Sequence, residues 1–272
     1  MYLKTRDGTQ LYYKDWGSGR PVILLHGWPL SADSWDDQAF AFAEAGFRAI
    51  AYDRRGFGRS DQPWNGYNYD TLADDLADVI GATGATNAAL VGFSMGGGEV
   101  ARYMSRHAGR NVTQAALVSA VVPYMLKTSD NKDGVPQSMF DEMTAGMKAD
   151  RTAFFATFFK QFYGVGMLSS PVSEELLAWS CSVAMQSGLR PTLAAAEAFT
   201  TTDFRPDLAS FNVPTLIIHG TEDKTVPIDT TARPAAKAIK NAKLIEYKGA
   251  AHGILATHKD QVTKDLLAFL QK

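Results

Sequence analysis

The sequence predicts an α/β protein with a mostly parallel central sheet, helices on both faces of that sheet, and an inserted segment of helices. Two observations predict the sheet. Short apolar segments alternate with segments of helical periodicity, and these apolar segments are hydrophobic at nearly every position. Continuous apolar strands are typical of parallel sheets that helices cover on both faces. A third observation predicts the insertion, because the alternation stops at about residue 124 and resumes only after residue 211.

The chain is expected to begin with a hairpin that forms the antiparallel edge of the sheet. The dipeptide Asp7-Gly8 is a strong turn signal between two short strand-like segments. In the second segment, Leu11 and Tyr13 alternate with polar neighbours, as expected for a strand with one covered face.

The next elements alternate between strand and helix. A helix is predicted from about Ser34 to Ala45, with Asp33 as its N-cap. A second helix is predicted to begin at Asp70, and a third begins directly after Ser94. This order implies right-handed crossovers between parallel strands. The buried strands predicted in this half of the chain are PVILLHG, FRAIAYD, AALVGF and AALVSAVV.

The middle of the chain has a different character. Between about Tyr124 and Phe211 the sequence is rich in Phe, Met and Ala and predicts several short helices with no buried strand. Strand and helix then alternate again up to the C-terminus. We therefore expect residues 1–123 and 212–272 to form an α/β core, and residues 124–211 to form a helical cap.

Composition and charge exclude several classes of function. The net charge of −2 does not favour nucleic acid or an anionic membrane as a partner. The single cysteine, Cys181, excludes a disulfide framework and a cysteine-based metal site. No apolar run approaches the roughly 20 residues that span a bilayer, and the N-terminus has no apolar signal stretch. A cytoplasmic protein that binds neither nucleic acid nor membrane is expected, and a homo-oligomer is left open.

A glycine-rich turn between a predicted strand and a predicted helix contains a candidate nucleophile, Ser94. Gly92 to Gly96 match the pattern G-x-S-x-G in the required strand-turn-helix setting. The turn must be sharp to expose the serine oxygen, and side chains at positions 92 and 96 would collide with the neighbouring strand and helix. The alternatives are a turn with an idle serine and a phosphate-binding loop, but no G-K-[ST] follows.

A serine hydroxyl needs a base, and the base needs an acid that orients it. His252 is the candidate base because it lies in a small-residue loop directly after a predicted strand, where parallel sheets build their sites. His219 lies within a strand and is expected to be buried with its hydrogen bonds satisfied. The acid is expected in the loop after the preceding strand, where Glu222 and Asp223 both fit on position, and the chemistry alone does not choose between them.

Two backbone N–H groups are candidate donors for an oxyanion. The N–H of Met95 opens a helix, whose dipole favours negative charge at this end. The second donor is expected in the loop after the strand VILLHG. Gly27 permits tight backbone folding there, and Pro29 has no N–H, so Trp28 is the expected donor.

Several motifs together indicate a family. The sequence resembles the α/β-hydrolase superfamily and, more closely, the bacterial aryl esterases that are grouped with the cofactor-free haloperoxidases, or perhydrolases. The resemblance extends over almost the whole chain and is loosest in the cap. It implies an α/β-hydrolase fold, no cofactor and no metal. The motifs that carry it include HGWPL, DRRGFGRS, LVGFSMGGGEVARY, HGTEDKTVP and AAHG.

The resemblance also implies the roles of the candidate residues. Ser94 is the expected nucleophile, His252 the base and Asp223, rather than Glu222, the acid, while Trp28 and Met95 match the two oxyanion donors. The implied reaction is acyl transfer from a small ester through an acyl-enzyme. Water as the acceptor completes hydrolysis, and hydrogen peroxide as the acceptor forms a peracid that oxidises halide. A lactamase or amidase, or a ligand receptor with little turnover, is the alternative.

The substrate pocket is expected to be small and apolar, which suits short acyl chains and aryl leaving groups. No cationic residue stands out as a partner for a charged substrate. Pro29 carries a further hypothesis, since proline favours an extended conformation of Trp28 that could turn its carbonyl toward peroxide; the alternative is that Pro29 only stiffens a turn. Structural roles are favoured for the arginines of DRRGFGRSD. The expected pocket residues are Trp28, Pro29, Phe93, Val122, Phe158, Phe162, Phe199, Val226 and Ile254.

Overall fold

Eight strands form one sheet within residues 1–167 and 169–272, which the computed structural model describes. Their order is β1-β2-β4-β3-β5-β6-β7-β8. The first two pairings are antiparallel and the remaining five are parallel, so the hairpin forms the predicted antiparallel edge. The strands are β1 (Tyr2–Lys4), β2 (Gln10–Gly17), β3 (Pro21–Leu25), β4 (Arg48–Tyr52), β5 (Ala88–Phe93), β6 (Val112–Val118), β7 (Thr215–Gly220) and β8 (Ala242–Tyr247).

Helices cover the sheet on both faces and explain why its central strands are apolar throughout. Every residue of β3, β5 and β7 is buried, as the continuous apolar runs predicted. The α-helices of the described residues are α1 (Asp36–Glu44), α2 (Tyr69–Thr83), α3 (Met95–Arg106), α4 (Gln137–Ala149), α5 (Arg151–Tyr163), α6 (Glu174–Gln186), α7 (Leu189–Thr201), α8 (Ala232–Ala238), α9 (Ile254–Thr257) and α10 (Lys259–Leu270).

The predicted start of the first helix was wrong. A 3-10 turn, Ala32–Trp35, precedes α1, and its N-cap is Ser31, whose side chain accepts a hydrogen bond from the N–H of Asp33. The Asp33 carboxylate instead pairs with Lys14 and Arg59. Local capping patterns in a sequence do not show that long-range ion pairs compete for the carboxylate of Asp33.

Two other boundaries also differ from the prediction. Helix α2 begins at Tyr69 with Asn68 as its N-cap, so Asp70 lies within the first turn, where its carboxylate pairs with Arg102. Strand β6 ends at Val118, four residues before the predicted end of the apolar run. The loops after β3 and β6 contain cis peptide bonds, before Pro29 and Pro123 respectively.

Helices α4 to α7 lie between β6 and β7 in the chain, as predicted for this segment. Among the described residues of this segment, none joins the sheet. Helix α5 carries a row of phenyl rings, with Phe155, Phe158, Phe159 and Phe162 in mutual contact at centroid distances of 5.4–6.4 Å. The division into core and cap remains a prediction.

No helix in the described part of the chain combines the length and apolar character needed to cross a bilayer.

Candidate active site

Ser94 occupies a strained turn between β5 and α3. Its backbone has φ 53° and ψ −117°, a conformation that non-glycine residues adopt rarely and mostly at functional sites. A Cβ on Gly92 would lie 2.5 Å from the carbonyl oxygen of Gly96, and a Cβ on Gly96 would lie 2.3 Å from that of Leu25. The predicted collisions with helix and strand are therefore confirmed, and both glycines are needed for the turn.

Three side chains from distant parts of the chain meet at this turn. His252, in the loop after β8, accepts a hydrogen bond at Nε2 from the Ser94 hydroxyl over 2.9 Å. The Nδ1–H of the same ring donates to Oδ2 of Asp223 over 2.6 Å. All three residues are at most 6% exposed. The contacts form a continuous hydrogen-bonded series from hydroxyl to imidazole to carboxylate.

Asp223 is held as an ionised carboxylate. Burial would raise its pKa, but the electrostatic attraction of His252 and the hydrogen bonds from His219 and His252 outweigh burial and hold the pKa below its ordinary value. Its Oδ1 also accepts the N–H groups of Thr225 and Val226 over 2.9 and 2.8 Å. The side chain of Glu222, the other candidate on position, is exposed.

The two candidate oxyanion donors are free backbone groups. Neither the N–H of Trp28 nor that of Met95 donates a hydrogen bond within the described residues. Met95 is the first residue of α3, where an N–H has no partner inside the helix. Gly27 lies against the nucleophile, since a Cβ there would be 3.0 Å from Cβ of Ser94 and 2.8 Å from the ring of Phe93. The loop and the turn thus approach each other closely.

A buried polar cluster that the sequence analysis missed supports this loop. Arg54 forms an ion pair with Glu99, and both residues are at most 1% exposed. Glu99 also accepts the hydroxyl of Tyr52 over 2.6 Å. Arg54 donates from Nη2 to the carbonyl oxygen of His26 over 2.6 Å and from its backbone N–H to Nε2 of that ring over 3.0 Å. Nδ1 of His26 then donates to the carbonyl oxygen of Gly27 over 2.9 Å.

The His26 ring in this cluster is neutral. Burial lowers its pKa well below the ordinary value, and the charge of Arg54 lowers it further. A neutral ring can accept at one nitrogen and donate at the other, as the contacts with Arg54 and Gly27 require. The remaining arginines of this segment, Arg55 and Arg59, pair with Asp75 and Asp53. These contacts agree with the structural interpretation of DRRGFGRSD.

Aromatic rings surround the imidazole of His252. The centroid of Phe93 lies 5.2 Å from that ring, and the centroid of Phe162 lies 4.8 Å from it in an edge-to-face arrangement. Trp28 contacts Phe158 and Phe199 at 5.4 and 5.6 Å. Five of the predicted pocket residues therefore pack around the serine turn and the loop after β3.

Two cavities lie beside these rings. Phe93 and Phe162 line one of about 200 Å³. Phe158 lines the other, of about 550 Å³, whose wall includes apolar residues of the segment before α4, of α4 and of α5. Lys224, Asp133 and Glu142 also line this larger cavity. The absence of a cationic partner for a charged substrate stays a prediction.

The remaining predicted pocket residues are buried. Val122, Val226 and Ile254 are at most 1% exposed, and Pro29 is buried in the loop after β3. Their contact with substrate stays a prediction. No cluster of three or more His, Cys, Asp or Glu side chains suited to a metal ion occurs among the described residues.

Comparison with known proteins decides the family. A model of the alpha/beta hydrolase fold matches residues 20–259. The chain belongs to the α/β-hydrolase family. It is 43% identical over 270 residues to the non-heme chloroperoxidase CPO-A1 of Kitasatospora aureofaciens, with 98% of each chain covered. It is 42% identical to the bifunctional esterase/perhydrolase DCH of Acinetobacter calcoaceticus, with 99% of each chain covered.

A solved structure extends this agreement to the whole fold of this α/β hydrolase. The crystal structure of a bromoperoxidase from Bacillus anthracis superposes with a TM-score of 0.96 at 42% identity, with 100% of each chain covered. The α/β-hydrolase fold and the resemblance to esterases and non-heme haloperoxidases are therefore confirmed.

Proposed function

We propose that this α/β hydrolase is a serine esterase that cleaves short-chain carboxylic esters, aryl esters above all, and that makes peracids when hydrogen peroxide replaces water. The single observation that carries the proposal is the hydrogen-bonded series from the Ser94 hydroxyl through His252 to Asp223, at 2.9 and 2.6 Å. A base within hydrogen-bond reach of a serine, itself oriented by an acid, is the arrangement that activates a hydroxyl for attack.

The reaction would proceed in two acyl transfers. His252 takes the proton of Ser94 as Oγ attacks the ester carbonyl, and the oxyanion is stabilised by the N–H groups of Trp28 and Met95. The alcohol leaves with the proton from His252, which leaves an acyl group on Ser94. Water then attacks the acyl carbon, His252 takes its proton and returns it to Ser94, and the carboxylic acid departs.

Hydrogen peroxide can take the place of water in the second transfer. Its oxygen attacks the acyl carbon and gives up its proton to His252, the bond between the acyl carbon and Oγ breaks, and His252 passes the proton to Ser94. The other proton of peroxide stays on the peracid that is released. In solution a peracid oxidises bromide to hypobromous acid and becomes a carboxylate. Halide oxidation would thus need no redox centre in the protein, which fits relatives whose names include both perhydrolase and chloroperoxidase.

The aromatic surroundings of His252 favour small apolar substrates. Phenyl rings bind aryl and short alkyl groups without offering a partner to a charge. The proposed substrate contacts remain those predicted from the sequence, with Phe158 at the larger cavity. Residues 124–211 would form the cap over the site, and the proposed partners are the ester and its acceptor. A cytoplasmic location and a homo-oligomer remain predictions.

Hydrolysis of p-nitrophenyl acetate tests the proposal. The wild-type protein is expected to release nitrophenol with saturation kinetics, and Ser94→Ala to retain only the residual catalysis of binding and oxyanion donors, roughly 10³–10⁴ over water. Ser182→Ala, on an exposed position of α6, is the matched control and should behave as wild type. Equal rates for wild type and Ser94→Ala would contradict the proposal. The same sample with bromide, an acetate ester and peroxide tests perhydrolysis, and lactams test the alternative.

A further inference from the structure

His219 is a fully buried histidine that touches the acid of the proposed relay. It lies in β7, four residues before Asp223, and is 0% exposed. Its Nε2 donates to the carbonyl oxygen of Val226 over 2.8 Å and lies 3.2 Å from Oδ2 of Asp223. Because a carbonyl oxygen can only accept, the Nε2 atom carries a proton. The N–H of this ring is therefore directed into the loop that holds Asp223.

These contacts close a ring of three residues. Val226 donates its N–H to Oδ1 of Asp223 over 2.8 Å and receives the His219 N–H at its own carbonyl oxygen. His219 in turn reaches Oδ2 of the same carboxylate. The carboxylate is thus held at both oxygens, which restricts its rotation and directs Oδ2 at Nδ1 of His252.

The other ring nitrogen of His219 indicates that a histidine is needed here for its contact with the Asp223 loop and not for packing of the core. Nδ1 is buried and has no hydrogen-bond partner within the described residues, contrary to the expectation that this histidine is satisfied. A buried polar atom without a partner destabilises the folded state, and an apolar ring would avoid that cost. The Nε2–H, which contacts the Asp223 loop, is therefore the part of the side chain that an apolar ring could not replace.

The charged and titratable groups facing His219 are few. Asp223 and His252 lie on the loop side, and Glu246 lies opposite His219 in the register of β7 and β8. Arg233 pairs with Glu246 and lowers the pKa of that carboxyl. The contact with Asp223 and Val226 is thus the interaction that distinguishes His219 from an apolar core residue.

We propose that His219 is a positioning residue, which fixes the rotation of the Asp223 carboxylate through Val226 and so holds the His252 ring in line with Ser94. This inference rests on the proposed esterase function. It assigns His219 an effect on the chemical step, since its described polar contacts reach the carboxylate of Asp223 and the main-chain carbonyl oxygen of Val226 and neither oxyanion donor.

The experiment compares His219→Phe, which keeps a flat ring, with His219→Gln, whose amide places a donor near the position of Nε2. His219→Phe is expected to lower kcat for p-nitrophenyl acetate by about 10- to 100-fold with KM changed by less than about twofold, the size expected from misplacing a catalytic group. His219→Gln is expected to recover kcat to within about fivefold of wild type. His258→Phe, a half-buried histidine outside the site, is the matched control and should retain wild-type kcat.

Proton NMR supplies a readout that needs no turnover. The proton shared over 2.6 Å between His252 and Asp223 should resonate far downfield, disappear in Asp223→Asn, shift or broaden in His219→Phe and return in His219→Gln. If the resonance changes in His219→Phe but the wild-type protein does not hydrolyse esters, the role of His219 is supported and the esterase function is rejected. Active wild type with an unchanged kcat and resonance in His219→Phe would overturn the role of His219. The role of His219 would also be overturned if His219→Phe lowered the melting temperature and kcat but left the resonance unchanged, and if His219→Gln did not restore kcat.

Discussion

Removing the charge of Glu99 should destabilise the protein far more than removing a charge from an exposed ion pair. Arg54 and Glu99 are 1% and 0% exposed, so the guanidinium has no solvent to replace its partner. The substitution Glu99→Gln keeps the size of the side chain but leaves Arg54 as a buried cation without a charged partner. Breaking a buried pair in this way costs about 3–5 kcal/mol.

The expected change in melting temperature follows from the length of the chain. For 272 residues, the unfolding entropy near the midpoint is roughly 0.6 kcal/mol/K. The melting temperature of Glu99→Gln should therefore fall by roughly 5–9 °C. Differential scanning calorimetry measures this shift directly. The kcat for p-nitrophenyl acetate should fall as well, because Arg54 holds His26 and the loop that begins at Gly27.

Glu246→Gln is the matched control, since Glu246 also pairs with an arginine, Arg233, but both side chains are 35–40% exposed. Solvent screens such a pair, and its loss should move the melting temperature by less than about 2 °C. If Glu99→Gln melts within 2 °C of Glu246→Gln, the argument that burial makes the Arg54–Glu99 pair important is wrong.

Four further outcomes are expected. Asp223→Asn should lower kcat by about 10⁴-fold with little change in KM, measured with p-nitrophenyl acetate, because it removes the charge that orients the base. Since the pKa of Asp223 is held below its ordinary value, its ionised form stabilises the folded state above about pH 4, and that contribution is lost only at lower pH. The free energies of unfolding of wild type and Asp223→Asn, measured by denaturant titration, should therefore converge below about pH 4. Gly96→Ala should lower both the melting temperature and the activity, because its Cβ would lie 2.3 Å from the carbonyl oxygen of Leu25; wild-type stability would contradict the geometric argument. Pro29→Leu should lower the ratio of perhydrolysis to hydrolysis if the Trp28 carbonyl accepts from peroxide, and an unchanged ratio rejects that hypothesis.

The features that could be predicted from the sequence are hydrophobic patterns that repeat along a single element and positions that follow from the topology of the sheet. Continuous apolar strands and helical periodicity identified the sheet and the helices. The positions of Ser94, Asp223 and His252 after β5, β7 and β8 were enough to bring them together, because the carboxyl ends of parallel strands meet at one edge. Glu222 could not be excluded from residues alone, since the two carboxylates are neighbours and only the direction of each side chain separates them.

The features that sequence could not predict depend on pairs that are far apart along the chain. Arg54 and Glu99 are 45 residues apart, and neither carries a local signal that it pairs with the other in the core. Asp33 was assigned to a helix cap, although Lys14 and Arg59 compete for its carboxylate. Lys224 gave no local sign that it lines a cavity with residues of α4 and α5. Such contacts are consequences of the packed fold.

The proposed oxyanion donors, the N–H groups of Trp28 and Met95, are main-chain atoms. Every amino acid except proline supplies an identical group at either position, so substitution of these residues changes the surroundings of the donors and leaves the donors in place. A complete mutational scan for activity should therefore show abrupt losses at 94, 223 and 252, and graded effects at 28 and 95 with proline as the outlier. Laboratory evolution can accordingly vary both positions to reshape selectivity while the charge-stabilising groups persist.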